Sequence, residues 1–536
     1  MSRLSLLRTD DFTGGLNLRA DPFQLGRTES PDLLNVDVDP RGGLTMRGGI
    51  TKLNASAIGS IANGSFSPKA LYAWDNTIPR LLLSANNAVY DATTTVFTSL
   101  GITTTAPFGA SFTAWSASTE SFAYIGTGSA TYKWNGTTAT ALTDASTGYA
   151  NDYASPVTGF APKCRYITSH VDRLWCAHVT EGVTDYPNRV RFSHPINRES
   201  WAADDYIDIV EGGSGITAII PFNGNLLVFK KRAVFSILGY STDTFQVVNL
   251  TNEVGAVNPL SVVATETAVY FFSWPDGLFK FDGQQFMDLF ANIRPLIQSG
   301  GVNNIAQDEI RVCNVNQKIW VSLPLGDSVK ASVSYVYDPS LKQNGAWTKY
   351  QTSDAKGVGS GCNFVTSNGT TYNLVCHPSN AYVLRVDQLS VYQDDVGTGA
   401  ANFTSYYTTP WQDANNVSNR KMWRRPDFVV KQTSVATNLS ISVFHDWEES
   451  IVARLYILGL DASGSSLIWN ASASEPDSNP GWNQADWGAS ATGAAFAVGK
   501  SLGLCRSVQL KIQGEGGKPW GVNSITYKYN PRKVRA

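Results

Sequence analysis

Histidine and cysteine side chains are the first candidates for metal binding or acid–base chemistry in this chain of 536 residues. The five histidines lie at positions 170, 178, 194, 377 and 445, and the six cysteines at 164, 176, 313, 362, 376 and 505. The sequence has no His-Glu-x-x-His arrangement and no Cys-x-x-Cys pair, which are spacings typical of metal ligands. His170-Val171-Asp172 and Cys176-Ala177-His178 come nearest to a cluster, on two strands predicted to be adjacent. We interpret these histidines as packed or hydrogen-bonded side chains and assign no metal ligand.

The glycine-rich stretches do not have the spacing of phosphate-binding loops. Gly514–Pro519 lacks a glycine five residues before Lys518, and Pro519 stands where a magnesium-binding hydroxyl would be needed. Gly357–Gly361 does not match the dinucleotide-binding spacing. Gly213-Ser214-Gly215 has no predicted strand–helix junction around its serine. All three are predicted to be turns, so neither a nucleotide-binding residue nor a nucleophile is assigned.

Two carboxylates facing each other across a pocket would permit glycosidase chemistry. Asp204-Asp205, Glu253 and Asp276 are candidates, but acidic turn residues are common between short strands. The sialidase-type signature S-x-D-x-G-x-T-W is absent, since Asp461–Gly464 has a different Asp–Gly spacing. Tryptophans in the segment 469–487 could stack on sugars, although packing on the domain or on a neighbouring subunit explains them better. The chain is therefore predicted not to be an enzyme, with no catalytic residue and no cofactor.

Two basic clusters interleave cations with an aromatic residue, a pattern found in nucleic-acid-binding surfaces. They are Arg420–Arg425 and Lys528–Arg535. The net charge of the whole chain is only −2, which argues against a protein whose entire surface binds nucleic acid. We therefore interpret the clusters as a solvated strand edge or a subunit contact rather than as a sequence-reading DNA site.

The elements that carry these residues recur along the chain with a regular spacing. Apolar segments that read as short strands start 41 to 54 residues apart, at Leu81-Leu82-Leu83, Phe122–Ile125, Leu174–Ala177, Leu226–Phe229, Val269–Phe272, Ile319–Ser322 and Asn373–Cys376. Each is followed by a turn and a second strand, and at two of those strand ends Asn135-Gly136 and Asp282-Gly283 predict type I′ turns. A period of about 40–50 residues with four short strands is typical of a β-propeller blade.

We therefore predict an all-β protein with a β-propeller of about seven blades at residues 65–392. A series of β-sandwich domains with similar turns is the alternative interpretation. Residues 1–64 do not fit the period and are predicted to form an N-terminal arm, with a helical turn at Ser30–Leu34 and a hairpin of Val36–Asp39 and Leu44–Arg47. Longer strands at wider spacing predict a β-sandwich-like domain at residues 393–536.

Composition agrees with many short strands joined by tight turns. Charged residues make up 16% of the chain and aromatic residues 11%, and there are 46 glycines. The apolar runs are too short for a membrane-spanning helix of about 20 residues. Without a recognisable signal segment, we expect the chain to be made in a cytosol, with its cysteines reduced.

Short motifs distributed over most of the chain give a family resemblance. They are Phe12–Asn17, Asp21–Leu25, Glu29–Asn35, Gly42–Gly49, Trp201–Ile209, Leu226–Lys231 with Gly239, Val269–Gly283, Tyr406–Trp411 and Trp520–Pro531. In this order they resemble the tail nozzle proteins of short-tailed bacteriophages, also called tail tubular B-like or tail hub proteins. A Gly-Gly opening, an Asn-containing strand and a hairpin that ends in "R-x-G" are features of that family. The chain is shorter than some of its members, which puts their lower channel domains in doubt here.

The resemblance implies a structural virion protein that assembles in the host cytoplasm and is located in the phage tail. Its subunits would form a ring, expected to be a hexamer, below the portal and adaptor, with tail fibres or spikes as further partners. Genomic DNA would be retained by the ring and ejected through it without sequence recognition, and no part of the chain would span a membrane. The alternative is a receptor-binding or glycan-degrading tail protein built on the same propeller. No catalytic, cofactor or metal residue is implied.

Overall fold

A computed structural model describes residues 4–58, 68–116, 121–144, 159–342, 345–397, 399–431, 433, 435–460, 494–498 and 500–531. The described chain is nearly all-β. Its helical segments are a four-residue α-helix at Pro295–Gln298 and 3-10 turns at Thr242–Thr244, Pro259–Ser261 and Asn304–Glu309. No helix in the described parts is long and apolar enough to cross a membrane.

Seven blades of four antiparallel strands form a β-propeller, which confirms the predicted fold class. Six blades are separate sheets, and blade 7 is part of a six-stranded sheet that continues through a parallel pairing into Asp394–Asp395 and Ala400–Ala401. From the inner to the outer strand, the first four are Pro68–Trp74, Arg80–Ala85, Ala88–Asp91 and Thr98–Thr103 (blade 1); Ser111–Ser116, Ser121–Gly126, Thr131–Trp134 and Ala139–Ala141 (blade 2); Lys163–His170, Arg173–Glu181, Thr184–Phe192 and Tyr206–Asp208 (blade 3); and Ile216–Phe222, Asn225–Lys230, Val234–Leu238 and Gln246–Thr251 (blade 4). The others are Val262–Ala264, Val269–Ser273, Gly277–Phe281 and Phe286–Asp288 (blade 5); Arg311–Val315, Lys318–Leu323, Val333–Asp338 and Ala346–Tyr350 (blade 6); and Gly361–Val365, Thr371–Cys376, Val383–Gln388 and Gly49–Lys52 (blade 7).

The repeated apolar segments found in the sequence are the second strands of the seven blades. A second strand has a neighbouring strand on each side and a neighbouring blade on each face, so both of its faces are buried. Leu81, Leu82 and Leu83 of blade 1, for example, are all fully buried. A strand buried on both faces is a continuous apolar run instead of an alternating one. This is why these strands, rather than the outer ones, gave the visible period.

The ring closes with a strand from the start of the chain. The inner strands contact their neighbours in the order of the blades, and the inner strand of blade 7 contacts that of blade 1. Gly49–Lys52 pairs with Val383–Gln388 as the outer strand of blade 7, with Lys52 opposite Leu384. Four residues that the sequence analysis placed in the N-terminal arm therefore complete the last blade, and they tie the two ends of the propeller together.

The C-terminal part forms two sheets packed face to face. One has eight strands: Ala494–Val498, Asp427–Lys431, Gly521–Pro531, Lys421–Trp423, Gly503–Cys505, Ser5–Thr9, Val36–Val38 and Leu44–Met46. The other has five: Leu33–Leu34, Tyr406–Thr408, Val508–Gly514, Thr437–His445 and Arg454–Leu460. Buried residues of both sheets belong to one apolar cluster that continues into blades 5 and 6. The sandwich and the propeller therefore share a core.

The N-terminal segment, residues 4–58, is built into both bodies. Its predicted hairpin is confirmed, with Val36 opposite Met46 and Val38 opposite Leu44. The predicted helical turn at Ser30–Leu34 is wrong, because Leu33–Leu34 is a strand that pairs with Tyr406–Tyr407 of the sandwich. Leu33 is fully buried there. Burial against a distant strand outweighed the local Ser-Pro signal for a helix start.

The predicted type I′ turns at Asn135-Gly136 and Asp282-Gly283 are also wrong. Only the glycines have a positive φ, 95° and 100°. The Asn135 and Asp282 side chains instead accept hydrogen bonds from the backbone amides two and three residues later. Such side-chain bonds stabilise a different turn geometry from that of a two-residue hairpin.

Candidate functional site

A buried ion pair lies where the N-terminal segment, the propeller and the sandwich meet. The Arg47 guanidinium contacts both carboxylate oxygens of Asp394, at 3.0 and 2.7 Å, and the two side chains are 2% and 0% exposed. Arg47 also donates to the side-chain oxygen of Asn35 and to the carbonyls of Gly48 and Gln351. Every guanidinium donor is therefore used, which is the condition under which a buried charge is tolerated.

The partners of this ion pair come from all three parts of the fold. Asp394 accepts from the amides of Ile50 in blade 7 and Ser353 after blade 6, and the Phe403 ring lies 3.8 Å from the guanidinium. Asn35 donates to the Thr404 carbonyl, which leads into the sandwich. Arg47 is the arginine of the "R-x-G" hairpin end. The geometry makes it a structural connector rather than a catalytic group.

Two carboxylates of the N-terminal segment, Asp32 and Asp37, make four further contacts to the same parts. Lys349 of blade 6 lies 2.6 Å from Asp32, and Tyr406 of the sandwich donates to the same carboxylate at 2.7 Å. Burial, together with the Asp32 charge, raises the pKa of Tyr406. Asp37 accepts from Lys318 and from Tyr350, both in blade 6. The N-terminal segment is thus bonded to blade 6 by side chains as well as by packing.

Charged side chains of blades 6 and 1 meet at or beside the inner strands of the propeller. Lys330 and Arg311 of blade 6 contact the Glu309 carboxylate at 3.0 and 3.3 Å, and Lys69 of blade 1 approaches it to 3.9 Å. Burial lowers the pKa of Lys69. The group connects blades 6 and 1 near the axis, so its charges are already engaged in contacts between blades.

The described part of the chain also contains an open aromatic pocket of about 430 Å³ beside the sandwich. It is lined by Phe23, Leu25, Arg27, Pro410–Asn415, Val417 and Trp447. The Trp447 ring lies between two others, with its centroid 5.5 Å from that of Phe23 and 6.4 Å from that of Trp411. Phe23 is 62% exposed, so this row of rings is open to solvent.

Three turns from distant parts of the sequence place these rings. Asp21 accepts from the amides of Phe23 and Gln24, which fixes the first turn. Trp447 follows Asp446 in the turn after Thr437–His445, and Ala414 and Asn415 form a similar turn. All four of these turn residues have positive φ, between 52° and 65°. Non-glycine residues rarely adopt this conformation, and such strain tends to occur at binding sites.

The two predicted basic clusters are brought together by strand pairing. Lys421–Trp423 lies beside the C-terminal strand, with Met422 opposite Asn530. Two of the cations have structural roles: Lys421 is buried and donates to backbone carbonyls, and Lys528 lies 2.7 Å from Asp427. The exposed cations of this basic face are Arg420, Arg424 and Arg425, while Arg532, Lys533 and Arg535 lie outside the described residues.

The histidines and cysteines singled out in the sequence do not converge. His178 contacts Asp185 at 3.2 Å, and burial together with Arg165 lowers its pKa. Burial also lowers the pKa of His170, and Asp172 contacts Arg198 instead. All six cysteines are free, and within the described ranges no three metal-ligating side chains form a group.

The carboxylates and glycine stretches that were weighed as enzyme features are distributed over separate elements. Asp276 contacts Arg232 at 2.5 Å, Asp205 is buried, and Glu253 lies in the turn after blade 4. Gly213–Gly215 precedes the inner strand of blade 4, and Gly357–Gly361 leads into that of blade 7. Asp461–Gly464 and the tryptophans of the segment 469–487 lie outside the described residues.

The aromatic pocket was missed in the sequence. Its one local signal is an aromatic side chain within a strongly polar turn, as in Asp21–Gln24 and Asp446–Glu448. That signal is weak because single exposed aromatic residues are common on protein surfaces.

No protein-family model matches the chain, and no curated protein is detectably similar to it. Solved structures do show similarity. The extracellular domain of a protein described as a one-component system from B. thetaiotaomicron aligns over 80% of this chain and 61% of its own, with 12% identity and a TM-score of 0.40. YCF48 bound to a D1 peptide aligns over 69% of this chain and 100% of its own, with 7% identity and a TM-score of 0.37. Virginiamycin B lyase from Staphylococcus aureus aligns over 60% of this chain and 96% of its own, with 12% identity and a TM-score of 0.30.

The last two of these have β-propeller-like folds. The chain spans 61% of the extracellular domain of the one-component system, and 43% of a related extracellular domain from a hybrid two-component system of B. thetaiotaomicron. At identities of 7–12%, the similarity concerns the fold alone and transfers no activity to this protein.

Proposed function

We propose that this protein is a structural subunit of a bacteriophage tail, a nozzle or hub that forms a ring below the portal and adaptor. One observation carries the proposal. Three of the motifs that resemble the nozzle family, far apart in sequence, meet at the junction of propeller and sandwich: Glu29–Asn35, Gly42–Gly49 and Tyr406–Trp411. Tyr406–Tyr407 pairs with Leu33–Leu34, and Arg47 of the second motif forms its ion pair with Asp394 there. The motifs at Trp201–Ile209, Leu226–Lys231 and Val269–Gly283 lie in blades 3 to 5 instead. Family-like residues that hold two bodies together are consistent with a structural subunit.

Close packing at one glycine of these motifs supports the same interpretation. Gly15 has a φ of 61°, and a β-carbon there would lie 2.5 Å from the carbonyl oxygen of Trp347 in blade 6. Only glycine fits this position without displacing the blade. The Gly-Gly opening thus serves the attachment of the N-terminal segment to the propeller.

Ring assembly needs two different faces of each subunit, because a ring closes through heterologous contacts. Exposed apolar side chains are available on two separate parts of the molecule. Val183, Val210 and Tyr240 lie on blades 3 and 4 and are 73–100% exposed, whereas Leu455 and Ile457 on the sandwich are 65% and 66% exposed. The low charge of the chain agrees with interface centres, which are depleted in charged residues. We propose these two surfaces as partners in a hexameric ring.

The genome would pass between the subunits rather than through the propeller, in which the ion pairs of Glu309 join blades 6 and 1. Contact with DNA would rest on shape and diffuse potential, since phosphate contacts carry no sequence information. The exposed arginines of the basic face, Arg420, Arg424 and Arg425, would face either the duplex or a tail partner such as a fibre or spike.

Sedimentation velocity and electron microscopy test the proposal on the full chain, both alone and co-expressed with the portal and adaptor of its virion. The expected result is a closed ring whose mass is a multiple of 58.1 kDa and that co-purifies with the adaptor. Leu455→Asp should weaken the ring, and Leu389→Asp, at an exposed leucine elsewhere, should not. A chain that stays at 58.1 kDa in the presence of both partners would contradict the proposal.

A further inference from the structure

We infer that the aromatic pocket formed by Phe23, Trp411 and Trp447 is a binding site for a neutral saccharide. This inference does not depend on ring assembly, because the pocket is complete within one described chain. Its volume of about 430 Å³ lies in the range of small-molecule sites, roughly 300–1,000 Å³. The row of rings and its polar surroundings determine which chemistry fits.

The aromatic row favours a ligand with flat C–H faces. A sugar ring has one or two such faces, and they pack on indole or phenyl rings, while its hydroxyls point sideways to polar groups. Trp447 contacts both Phe23 and Trp411 at ordinary ring-contact distances, with ring planes inclined by 62° and 48°. The three rings therefore offer aromatic faces and edges in several directions around the pocket rather than one flat surface. The Trp411 indole N–H is held by Glu449 at 3.2 Å, which orients the ring at one end of the row.

The polar lining favours an uncharged ligand. It contains one cation, Arg27, and one anion, Asp413, so neither sign of charge dominates. Arg27 donates to the side-chain oxygen of Asn415 at 3.1 Å, and the Asp413 carboxylate accepts from the backbone N–H of Asn415 at 2.8 Å. Planar guanidinium, carboxylate and amide groups placed side by side can bind adjacent hydroxyls in pairs. Gln412, which is 3% exposed, adds a second amide to the lining.

The strained turns give the pocket a fixed shape. Trp447 has a φ of 65° and Ala414 a φ of 52°, although neither residue favours the left-handed region. Gln412 is held by two backbone hydrogen bonds to Val508 in the neighbouring sheet. A site held in this way loses little conformational freedom when it binds a small ligand, and this benefits a weak binder such as a sugar.

Saturation-transfer NMR on the full chain tests the inference with six named sugars: glucose, galactose, mannose, rhamnose, N-acetylglucosamine and N-acetylgalactosamine. Trp447→Gly is the main variant, because glycine accepts a φ of 65° and the turn should survive loss of the ring. Binding of at least one sugar should be about tenfold weaker in this variant. Arg27→Ala, at an exposed side chain, should also weaken it.

Gln317→Gly is the matched control, because it makes the same backbone change at a φ of 59° on an exposed turn of blade 6. It should bind sugar as the parent protein does. Absence of saturation transfer with all six sugars would overturn the inference, and so would binding that survives Trp447→Gly. Self-association that requires Trp447 while no sugar binds would also overturn it, by making the pocket a contact between protein chains.

Discussion

Replacing Asp394 by alanine is the most direct test of the junction between propeller and sandwich. The change removes contacts of 2.7 and 3.0 Å to Arg47 and leaves a guanidinium that is 2% exposed without its counter-charge. It also removes the acceptor of the amides of Ile50 and Ser353. Breaking a buried ion pair costs about 3–5 kcal/mol, and a buried amide without an acceptor about 1–3 kcal/mol. Water that enters the vacated space offsets part of this cost.

We therefore expect the free energy of unfolding to fall by about 4–6 kcal/mol in Asp394→Ala. Urea unfolding followed by tryptophan fluorescence measures it, because buried tryptophans lie in both bodies, such as Trp347 in blade 6 and Trp423 in the sandwich. Arg41→Ala is the control, since it removes an ion pair to Asp39 whose arginine is 90% exposed, and it should leave the unfolding midpoint unchanged.

A double variant separates the ion pair from packing at the same place. Arg47→Met with Asp394→Leu removes both charges, so it should be less destabilised than the sum of the two single changes. A loss below about 1 kcal/mol in Asp394→Ala would refute the reasoning, because a pair worth so little resembles a solvated surface pair. Strictly additive single changes would refute it as well.

Three further predictions concern local features. Gly15→Ala should destabilise the fold by about 3 kcal/mol, because it adds positive-φ strain and overlap with Trp347. Gly182→Ala, with a φ of 60° and open space around it, should cost only about 1 kcal/mol. The urea unfolding midpoints of the two variants measure the difference, and equal costs would contradict the close packing at Gly15. Burial lowers the pKa of His170 below its ordinary 6.5, so near and below that pH the unfolded chain binds more protons than the folded one. The free energy of unfolding should therefore fall as the pH drops below 6.5, and His170→Gln should show a smaller fall between about pH 7 and pH 5. An unchanged dependence of the unfolding free energy on pH in this variant would exclude His170 as a cause. Burial raises the pKa of Cys313 to about 12, so iodoacetamide at pH 8 should label this thiol only after the protein unfolds. Mass spectrometry detects the label, and rapid labelling of the native protein would contradict the burial of Cys313.

The sequence by itself determined the fold class and indicated about seven blades. The second strands of the blades are buried on both faces, so they appear as apolar runs that need no knowledge of their partners, as at Leu226–Phe229. The hairpin of Val36–Val38 and Leu44–Met46 was equally readable, because its two strands are neighbours in the chain. Local patterns predict an element whenever the cause of that element is itself local.

Only the tertiary structure decided which distant segments meet. Gly49–Lys52 carries no mark that it completes blade 7, and Arg47 lies 347 residues from Asp394. The pocket likewise draws Phe23, Trp411 and Trp447 from three separate turns. Pairing across such distances is selected by the burial and charge balance of the finished core, and the spacing of residues along the chain contains no record of that selection.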